Sequence, residues 1–453
     1  MMQPALMERF PVIPIIDSQD PAIESNVILD PDTAYVLSVA RKPHMSNLTG
    51  YLLPTLRQNY GRDVEHIAIV PSRPDDGLYV LVNKDLKPLM TDDANNYGLL
   101  NVSSDEMNRQ VSSSKFVGDL IEDILEHQPD VFVNLYKNSK DYGFDCDRVK
   151  VIAPRAKCVE YFDNKINQKK VVAALDLPVP RSFIANNFDE LIELYRENFD
   201  GDAFITCSHG SSGSGSERVC SEGNILSSSK IKPDDEYVIA DYLDLKLSPS
   251  TFGIIAGDGV YVAGIFDLIM DGPNYLGAIS PTLATPEQKD EMIALTEDVG
   301  KYLGEYGYRG PYGIDFMIDN HGKVYFTEIN PRVGGSTTEL TKAHMEANPE
   351  VPSIPEIIYD AVIYDTLGFS PESCELPQDA WAHKVIFGYT GDHTKTLEAP
   401  DPKYTGIVGY PGDNLKLYTP TKLGLVAYRG NPDATRDEIL SALDERIRDI
   451  NPY

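Results

Sequence analysis

The segment that most constrains this fold is residues 311–339, PYGIDFMIDNHGKVYFTEINPRVGGSTTE. Gly313–Ile318 alternates apolar residues with Asp315, and Lys323–Ile329 is rich in β-branched and aromatic residues. Between these runs, Asp319–Gly322 supplies the residue types of a tight turn. The pattern predicts two antiparallel strands joined as a hairpin.

Three oxygen-bearing side chains lie on this predicted hairpin. Glu328 and Asn330 are two residues apart, so on a strand they share one face. A regular hairpin register places Asp315 across from them. Hard oxygen ligands on one face suit Mg²⁺, or Mn²⁺ in its place, when the ion also holds substrate phosphates. The alternative is an edge hairpin whose acidic face is only solvated.

An arginine and a glycine-rich exit follow the hairpin. Arg332 carries a planar cation that suits an oxyanion or a carboxylate. Gly334, Gly335 and Ser336 come next, and glycines allow the backbone to approach a ligand closely. This exit is therefore a candidate substrate contact.

Length and charge limit the classes of function. A chain of 453 residues is too long for one core, so we expect roughly two to four domains. The formal net charge of −30 argues against nucleic acid and anionic membranes as partners, but not against nucleotides held by local groups. Five cysteines without a CxxC spacing argue against a disulfide framework or structural zinc. We see no signal peptide or membrane-spanning run and expect a cytoplasmic protein.

The first third of the chain predicts an α/β domain. Strand-like runs alternate with helix-like stretches such as Gly50–Gln58 and Ser113–His127, which is typical of βαβ units. Residues 1–30, interrupted by prolines, predict an irregular arm. Ser46–Gly50 is either a ligand site at a helix N-terminus or an ordinary turn. The strand-like runs are Tyr35–Ala40, His66–Pro71, Leu78–Asn83, Val131–Leu135 and Val149–Ala153.

A loop of glycine and serine is the second chemical feature. Residues 208–216, SHGSSGSGS, lie between a predicted strand, Asp202–Cys207, and the strand-like Glu217–Cys220. Glycines permit positive φ, and successive amides can then point at an anion. A flexible linker has a similar composition. The position between two strands favours a hairpin lid over phosphates.

The last part of the chain predicts helices followed by a small α/β cap. Residues 341–375 have a helical pattern punctuated by prolines. The segment His383–Ile450 then carries three strand-like runs and closes with a helix that begins at Thr435. The three runs are Lys384–Tyr389, Leu415–Tyr418 and Leu425–Arg429.

The order of these features resembles that of the ATP-grasp superfamily over roughly residues 150–345. A helix bearing Lys165 ends at the turn Pro178–Pro180; the Gly/Ser loop, a strand with an acidic–aromatic end and the D…E-x-N-P-R hairpin follow. The chain is most similar to the amino-acid and peptide ligases. Its N-terminal part resembles a pre-ATP-grasp domain, and its C-terminal segment resembles that of pheganomycin-type peptide ligases. The resemblance implies a mixed α/β fold with domains at residues 1–150, 151–235, 236–375 and 376–453.

The resemblance also implies roles for individual residues. Lys165 resembles the helix lysine that reaches the ATP phosphates; the alternative is a surface lysine in a basic cluster with Lys169 and Lys170. Arg332 resembles the arginine that steadies an acyl phosphate or tetrahedral intermediate. The metal ligands correspond to Asp315, Glu328 and Asn330, the mobile phosphate loop to Ser211, Ser212, Gly213, Ser214 and Gly215, and the adenine-binding linker to Asp241, Tyr242 and Leu243.

The sequence departs from the family pattern in two places. Thr206 or Cys207 stands where the family usually has a second phosphate-binding lysine, and Lys246 or Arg309 is a candidate to replace it. The acidic residue that commonly holds the ribose is also displaced. Asp244 is nearby, but the segment 248–250, Ser-Pro-Ser, occupies the position where this acidic residue is expected.

The activity implied by the resemblance is ATP-dependent ligation of a carboxylate to an amine through an acyl phosphate. The substrates would be small molecules, either amino acids or a short peptide, and the default assembly is a homodimer. One alternative is a biotin-carboxylase-like carboxylation, and another is a nucleotide-binding sensor or scaffold without catalysis. The sequence does not identify the substrates or the base that deprotonates the amine.

Overall fold

The structure is a computed structural model of the chain. It describes residues 29–40, 46–71, 78–82, 85–89, 103–144, 146–209, 215–233, 235–388, 395–397, 407–408, 415–417, 421–429 and 434–450. Residues 1–28 of the predicted arm 1–30 and most of the Gly/Ser loop lie outside the described residues. The predicted mixed α/β fold is confirmed, because helices and strands both occur along the chain.

A six-stranded sheet forms the N-terminal part, in the order β4-β3-β2-β1-β5-β6. The pairs β1–β2, β1–β5 and β5–β6 are parallel, as βαβ units require. The predicted helix Ser113–His127 begins two residues later, because the Ser114 side chain caps it by accepting from the Val117 amide. The elements are β1 (Ala34–Val39), α1 (Asn47–Gly50), α2 (Leu53–Tyr60), β2 (Val64–Pro71), β3 (Leu78–Val82), β4 (Asp85–Leu89), α3 (Ser104–Ser113), α4 (Lys115–His127), β5 (Val131–Leu135) and β6 (Val149–Ile152).

A four-stranded antiparallel sheet with flanking helices comes next, in the order β7-β10-β8-β9. Alternate residues of β8 are buried, and Phe204 and Thr206 on its other face line a cavity. The elements are α5 (Ala156–Asp163), α6 (Lys165–Leu175), β7 (Ser182–Ala185), α7 (Phe188–Asn198), β8 (Ala203–Cys207), β9 (Ser216–Val219), α8 (Glu222–Ser227) and β10 (Tyr237–Asp241).

The predicted hairpin lies in a nine-stranded sheet, ordered β11-β15-β12-β13-β14-β17-β21-β19 with β16 paired to β15. Strands β17, β19 and β21 belong to the predicted C-terminal cap, so this sheet crosses the boundary predicted at residue 376. The elements are β11 (Leu245–Leu247), β12 (Pro249–Ala256), β13 (Gly259–Asp271), β14 (Asn274–Ser280), α9 (Pro286–Glu305), β15 (Gly310–Asp319), β16 (Val324–Asn330), α10 (Thr337–Ala347), α11 (Ile354–Ile363), β17 (Trp381–Gly388), β18 (Lys395–Leu397), β19 (Ile407–Val408), β20 (Leu415–Leu417), β21 (Thr421–Arg429) and α12 (Arg436–Ile450).

The hairpin β15–β16 has the predicted pairing but not a regular register. Asp315 lies opposite Glu328, whereas Phe316 lies opposite Phe326, so Thr327 is an extra residue. This is a β-bulge, which bends a strand and re-aims its side chains. The Thr327 hydroxyl donates to the Asp315 carbonyl at 2.6 Å, which fixes the bulge beside the acidic residues.

Tyr312 anchors the hairpin in the core. Its ring is fully buried, and its hydroxyl donates to the carbonyl of Thr296 on α9 at 2.7 Å. The ring fits between two glycines: a Cβ added at Gly253 would lie 2.5 Å from it, and one added at Gly300 would overlap its hydroxyl. Both glycines therefore leave the space that Tyr312 fills.

None of the helices in the described ranges is both long enough and apolar enough to cross a membrane.

We predict that Gly300→Ala lowers the free energy of unfolding by about 1–3 kcal/mol, because the added methyl group displaces the buried Tyr312. Urea unfolding measures this change. The control is Gly118→Ala in α4, where the new methyl would lie 3.9 Å from Phe144 Cε1 and removing a helical glycine stabilises by about 0.5–1 kcal/mol. Equal effects of the two substitutions would contradict the packing argument.

Candidate functional site

One cavity of about 850 Å³ lies between α6, the four-stranded sheet and the hairpin. This volume falls within the range of small-molecule sites. The cavity brings together predicted site residues that are up to 171 positions apart in the chain, from Lys165 to Ser336. The predicted site residues on its wall are Lys165, Asp241, Tyr242, Leu243, Asp315, Glu328, Asn330, Arg332, Gly334, Gly335 and Ser336.

The acidic face of the hairpin is held by hydrogen bonds. Asp315 accepts from the Ser250 hydroxyl at 2.8 Å and from the Asn330 side-chain amide at 2.9 Å. Glu328 lies directly across from it on β16. Two carboxylates and one amide side chain therefore meet at one point of the wall, as predicted.

Lys165 meets this face from α6. The Asn164 side chain caps the helix by accepting from two amides, and the Lys165 amide donates to the Ser208 carbonyl at 3.0 Å. The second contact fastens the helix start to the base of the Gly/Ser loop. The Lys165 ammonium lies 2.7 Å from Glu328 Oε2, with 17% of the lysine side chain and 27% of the glutamate side chain exposed. Lys165 is thus a cavity residue and not the surface lysine of the alternative interpretation.

The electrostatics reflect two acidic groups confined together. Burial and the negative charge of Glu328 raise the pKa of Asp315 to about 6, against the lowering effect of the Ser250 and Asn330 hydrogen bonds. Burial lowers the pKa of Lys165, but the Glu328 carboxylate outweighs it and the net shift is upward. A divalent cation would relieve the repulsion between the carboxylates. The donor set, two carboxylates and one amide, fits a hard ion that takes its remaining ligands from phosphate or water oxygens.

Arg332 is held at the other side of the acidic face. Its guanidinium donates to Asn330 Oδ1 at 3.2 Å and to the Tyr136 hydroxyl at 3.2 Å, and it lies 5.5 Å from the centre of the Tyr136 ring. Tyr136 follows β5, so the N-terminal domain contributes to the site. These two hydrogen bonds and the ring contact hold the guanidinium near the glycine-rich exit, where it can bind an oxyanion.

The predicted linker 241–243 lies where β10 ends. The Asp241 carboxylate accepts from Arg181 at 2.8 Å, and the Asp241 amide donates to the Arg181 carbonyl at 2.9 Å. Arg218 lies over the Tyr242 ring, 4.2 Å from its centre. The side chains of Asp241 and Tyr242 therefore contact arginines of the protein. That the backbone of the linker binds adenine stays a prediction.

The predicted phosphate loop is described only at its edge, since Ser211, Ser212, Gly213 and Ser214 lie outside the described residues. Gly215 has φ of +77°, and a Cβ there would overlap the Cys207 sulfur. The Cys207 amide also donates to the Gly215 carbonyl at 3.0 Å. This position therefore requires glycine for both its backbone conformation and its space.

The structure separates the candidates for the missing second lysine. Thr206 and Lys246 line the cavity, but Arg309 does not; the suggestion that Arg309 replaces the lysine is wrong, because it is paired with Asp365. Sequence reasoning missed Lys169, one helical turn after Lys165 and on the same face. Its ammonium donates to the Ser182 hydroxyl at 2.9 Å, and burial lowers its pKa. The i,i+4 spacing from Lys165 was the available signal.

The cavity also contains the candidates for the ribose contact and two residues that the sequence analysis missed. Asp244 and Ser248, the candidates for the ribose contact, both line the cavity, whereas Ser250 is already bonded to Asp315. Tyr275 and His383 line it from β14 and β17, although neither was singled out in the sequence. Strand β14 carried no strong strand pattern, so its contribution was not predicted.

Comparison with known proteins assigns the central part of the chain, which carries this cavity, to a family of domains. Residues 163–336 match the family model described as ATP-grasp domain, so the chain contains an ATP-grasp domain. This segment spans Lys165, the linker, the hairpin and the glycine-rich exit. The resemblance to the ATP-grasp superfamily is confirmed; the pre-ATP-grasp assignment of the N-terminal domain stays a prediction.

Two curated relatives align with parts of the chain. A formate-dependent phosphoribosylglycinamide formyltransferase of Ignicoccus hospitalis is 24% identical over 205 residues, which are 43% of this chain and 50% of the relative. An L-propargylglycine–L-glutamate ligase of Streptantibioticus cattleyicolor is 30% identical over 100 residues, 22% of this chain and 20% of the relative. The chain therefore spans half or less of the length of these relatives.

Solved structures are similar over nearly the whole chain. The biotin carboxylase domain of Hydrogenobacter thermophilus 2-oxoglutarate carboxylase, solved with MgADP, ADP and bicarbonate, has a TM-score of 0.62 at 13% identity and covers 92% of this chain and 89% of its own. A carboxyaminoimidazole ribonucleotide synthase of Aspergillus clavatus, solved with ATP, has a TM-score of 0.57 at 13% identity, covering 93% and 100%. At these identities the likeness shows a shared fold.

The raised pKa of Asp315 leads to a prediction about stability. The folded pKa of about 6 lies above the unfolded value of about 3.9, so ionised Asp315 costs free energy at higher pH. The cost is complete above pH 6 and vanishes below the unfolded pKa. In EDTA near pH 8, Asp315→Asn should therefore raise the free energy of unfolding by on the order of 1–3 kcal/mol.

Urea unfolding near pH 8 and near pH 3 measures this linkage. The gain should disappear near pH 3, where Asp315 is protonated in both states. A loss of stability in the variant that is the same at both pH values would contradict the electrostatic account.

Proposed function

We propose that this protein is an ATP-dependent ligase that joins a carboxylate to an amine through an acyl phosphate. The observation that carries the proposal is the meeting of Asp315, Glu328 and Lys165 in one cavity, between the linker 241–243 and Arg332. Acidic ligands and a cation suit the β- and γ-phosphates of a nucleotide, and Arg332 suits the carbonyl that becomes activated. The ATP-grasp domain over residues 163–336 and the alignment with a ligase support it.

The acidic face is the proposed site of Mg²⁺ or Mn²⁺. Asp315, Glu328 and Asn330 would hold the ion, which when bound supplies positive charge to the phosphates of ATP. Glu328 is engaged with Lys165 at 2.7 Å in the structure. Nucleotide phosphates give Lys165 a stronger anionic partner, and Glu328 then becomes available as a ligand. We therefore propose an exchange of partners when the nucleotide binds.

The first chemical step is attack of a substrate carboxylate oxygen on the γ-phosphorus of ATP. An O–P bond forms, the bond to the ADP oxygen breaks, and ADP leaves with the electron pair. Lys165 stabilises charge on the transferred group, and the loop 211–215 excludes water that would hydrolyse the acyl phosphate. The loop's role is an expectation from the sequence.

The second step is attack of an amine on the acyl carbon. The tetrahedral intermediate carries an oxyanion, and Arg332 is held within reach of this region by Asn330 and Tyr136. Gly334 and Gly335 line the adjoining wall. Loss of phosphate then yields the amide.

Lys169 is our candidate for the second nucleotide-binding cation. It lines the cavity near the linker, because its partner Ser182 pairs with Ala240 in the β7–β10 ladder, one residue before Asp241. Burial and a neutral hydroxyl partner leave its charge weakly compensated. A nucleotide phosphate or an acceptor on the base would compensate it better.

The screen that tests the proposal measures ADP release with ATP, Mg²⁺ and an equimolar mixture of the twenty L-amino acids, followed by mass spectrometry of the product. We expect amide products, and ADP formation that falls by at least a hundredfold in Glu328→Gln. Bicarbonate-dependent ADP release without an amine would favour the carboxylase alternative. ATP binding without turnover, unchanged by Glu328→Gln, would favour the sensor. We also propose that the protein assembles as a homodimer.

Lys169→Met should weaken ATP binding roughly tenfold or more, because a charge-assisted hydrogen bond contributes about 1.5–3 kcal/mol. The dissociation constant for MgATP measures this effect. Lys170→Met is the matched control, since Lys170 is exposed and its ammonium contacts Asn167 and the Tyr161 ring instead. Equal weakening by both substitutions would show that the effect is general charge and not a contact in the cavity.

A further inference from the structure

A tyrosine–histidine pair lies on the wall of the cavity and has no part in the steps described so far. The Tyr275 hydroxyl and His383 Nε2 are 2.7 Å apart. Both residues line the cavity, although His383 itself is 1% exposed. The pair joins β14 to β17, so the C-terminal part of the chain reaches the site.

The sheet fixes the position of the imidazole. In the antiparallel β14–β17 ladder, Ala278 lies opposite His383. A Cβ added at the neighbouring Gly277 would overlap the His383 carbonyl, so the two strands are closely apposed there. The fully buried Trp381 stacks with His383, with 6.3 Å between ring centres and 4° between ring planes. The histidine therefore has little freedom to rotate away from Tyr275.

The Tyr275 hydroxyl lies at the end of the cavity where the acyl group is proposed to react. Ser336 forms a hydrogen bond to it. A Cβ added at Gly335 would lie 3.6 Å from the same oxygen. Arg332 and Asp315 are close enough to act on it electrostatically. The hydroxyl thus adjoins both the glycine-rich exit and the arginine.

The proposed chemistry needs a base at this place. The α-amino group of an amino acid or peptide has a pKa near 8 or above, so at neutral pH the incoming amine carries a proton that it must lose to attack. Asp315 and Glu328 are proposed metal ligands, and Lys165 and Arg332 are cations. None of these four groups is suited to accept the proton.

We propose that Tyr275 and His383 together accept the proton of the attacking amine, an inference that rests on the proposed ligase function. An N–H bond of the ammonium breaks and an O–H bond forms at Tyr275, while the original Tyr275 proton passes to His383 Nε2. The amine lone pair then forms the C–N bond. The C–O bond to phosphate breaks, and the phosphate leaves with its electron pair and takes up the second proton that the nitrogen loses. Tyr275 is the catalytic residue, and His383 acts through it.

Burial supports this division of roles. It raises the pKa of the Tyr275 hydroxyl, so Tyr275 keeps its proton at neutral pH and can pass it to a neighbour. The imidazole of His383 has a ring nitrogen 2.7 Å from the Tyr275 hydroxyl that can accept this proton. A relay therefore places the charge on histidine and not on a buried phenolate.

The fold contains a matched control pair. Tyr261 and His344 form the same contact, with the hydroxyl and Nε2 2.8 Å apart, and both are buried. Neither lines the cavity. Substitutions there impose a similar loss of a buried hydrogen bond without touching the proposed site.

The experiment compares two nucleophiles with the full-length protein, ATP, Mg²⁺ and the twenty L-amino acids. Hydroxylamine is largely unprotonated at neutral pH and traps the acyl phosphate as a hydroxamate without needing a base. Amino-acid amines need one. In Tyr275→Phe and His383→Gln we expect amide formation to fall by about 10²–10⁴ and hydroxamate formation to change less than about threefold. Tyr261→Phe and His344→Gln should leave the ratio of the two products as in the wild type.

Each outcome decides the inference. A parallel loss of both products in the Tyr275 and His383 variants, or no loss of amide, overturns the proton relay while the wild-type activity still supports the ligase. A wild type that forms hydroxamate and no amide, or neither product, overturns the proposed ligation and the relay together. The same change of product ratio in the Tyr261 and His344 variants would show a structural effect and also overturn the relay.

Discussion

The facing carboxylates of Asp315 and Glu328, joined to the Lys165 ammonium, are the interaction on which the account of the site depends. Two acidic groups on adjacent strands repel each other, and burial adds to the cost. The 2.7 Å contact with Lys165 compensates one of them. Such a cluster is poised to exchange partners, because phosphates attract the lysine and a divalent ion suits the carboxylates.

The scaffold around this cluster holds it in place from several directions. The bulge at Thr327 sets the strand register at Asp315, and Tyr312 locks the strand against α9. The cap at Asn164 and the Lys165–Ser208 hydrogen bond position the lysine. A site on strand and helix ends, supported by buried contacts, keeps its geometry better than one built on loops. Precise charge placement here therefore follows from ordinary packing and capping.

Local chemistry explains what the sequence could predict. The hairpin, the facing of Asp315 and Glu328, and the helix that bears Lys165 follow from turn residues, strand alternation and helical patterns within short segments. The contact of Tyr136 with Arg332 spans 196 residues, and that of Tyr275 with His383 spans 108. Such contacts depend on sheet order and register, which no local pattern contains. The bulge at Thr327 likewise depends on how the finished sheet packs.

A crystal structure with Mg²⁺ and a non-hydrolysable ATP analogue tests the central claim most directly. The account predicts that the Lys165 ammonium leaves Glu328 and contacts the phosphates. It also predicts the ion between Asp315 and Glu328, and the adenine base beside the linker 241–243. A bound nucleotide elsewhere in the cavity, with Lys165 still paired to Glu328 and no ion on the hairpin, would contradict it.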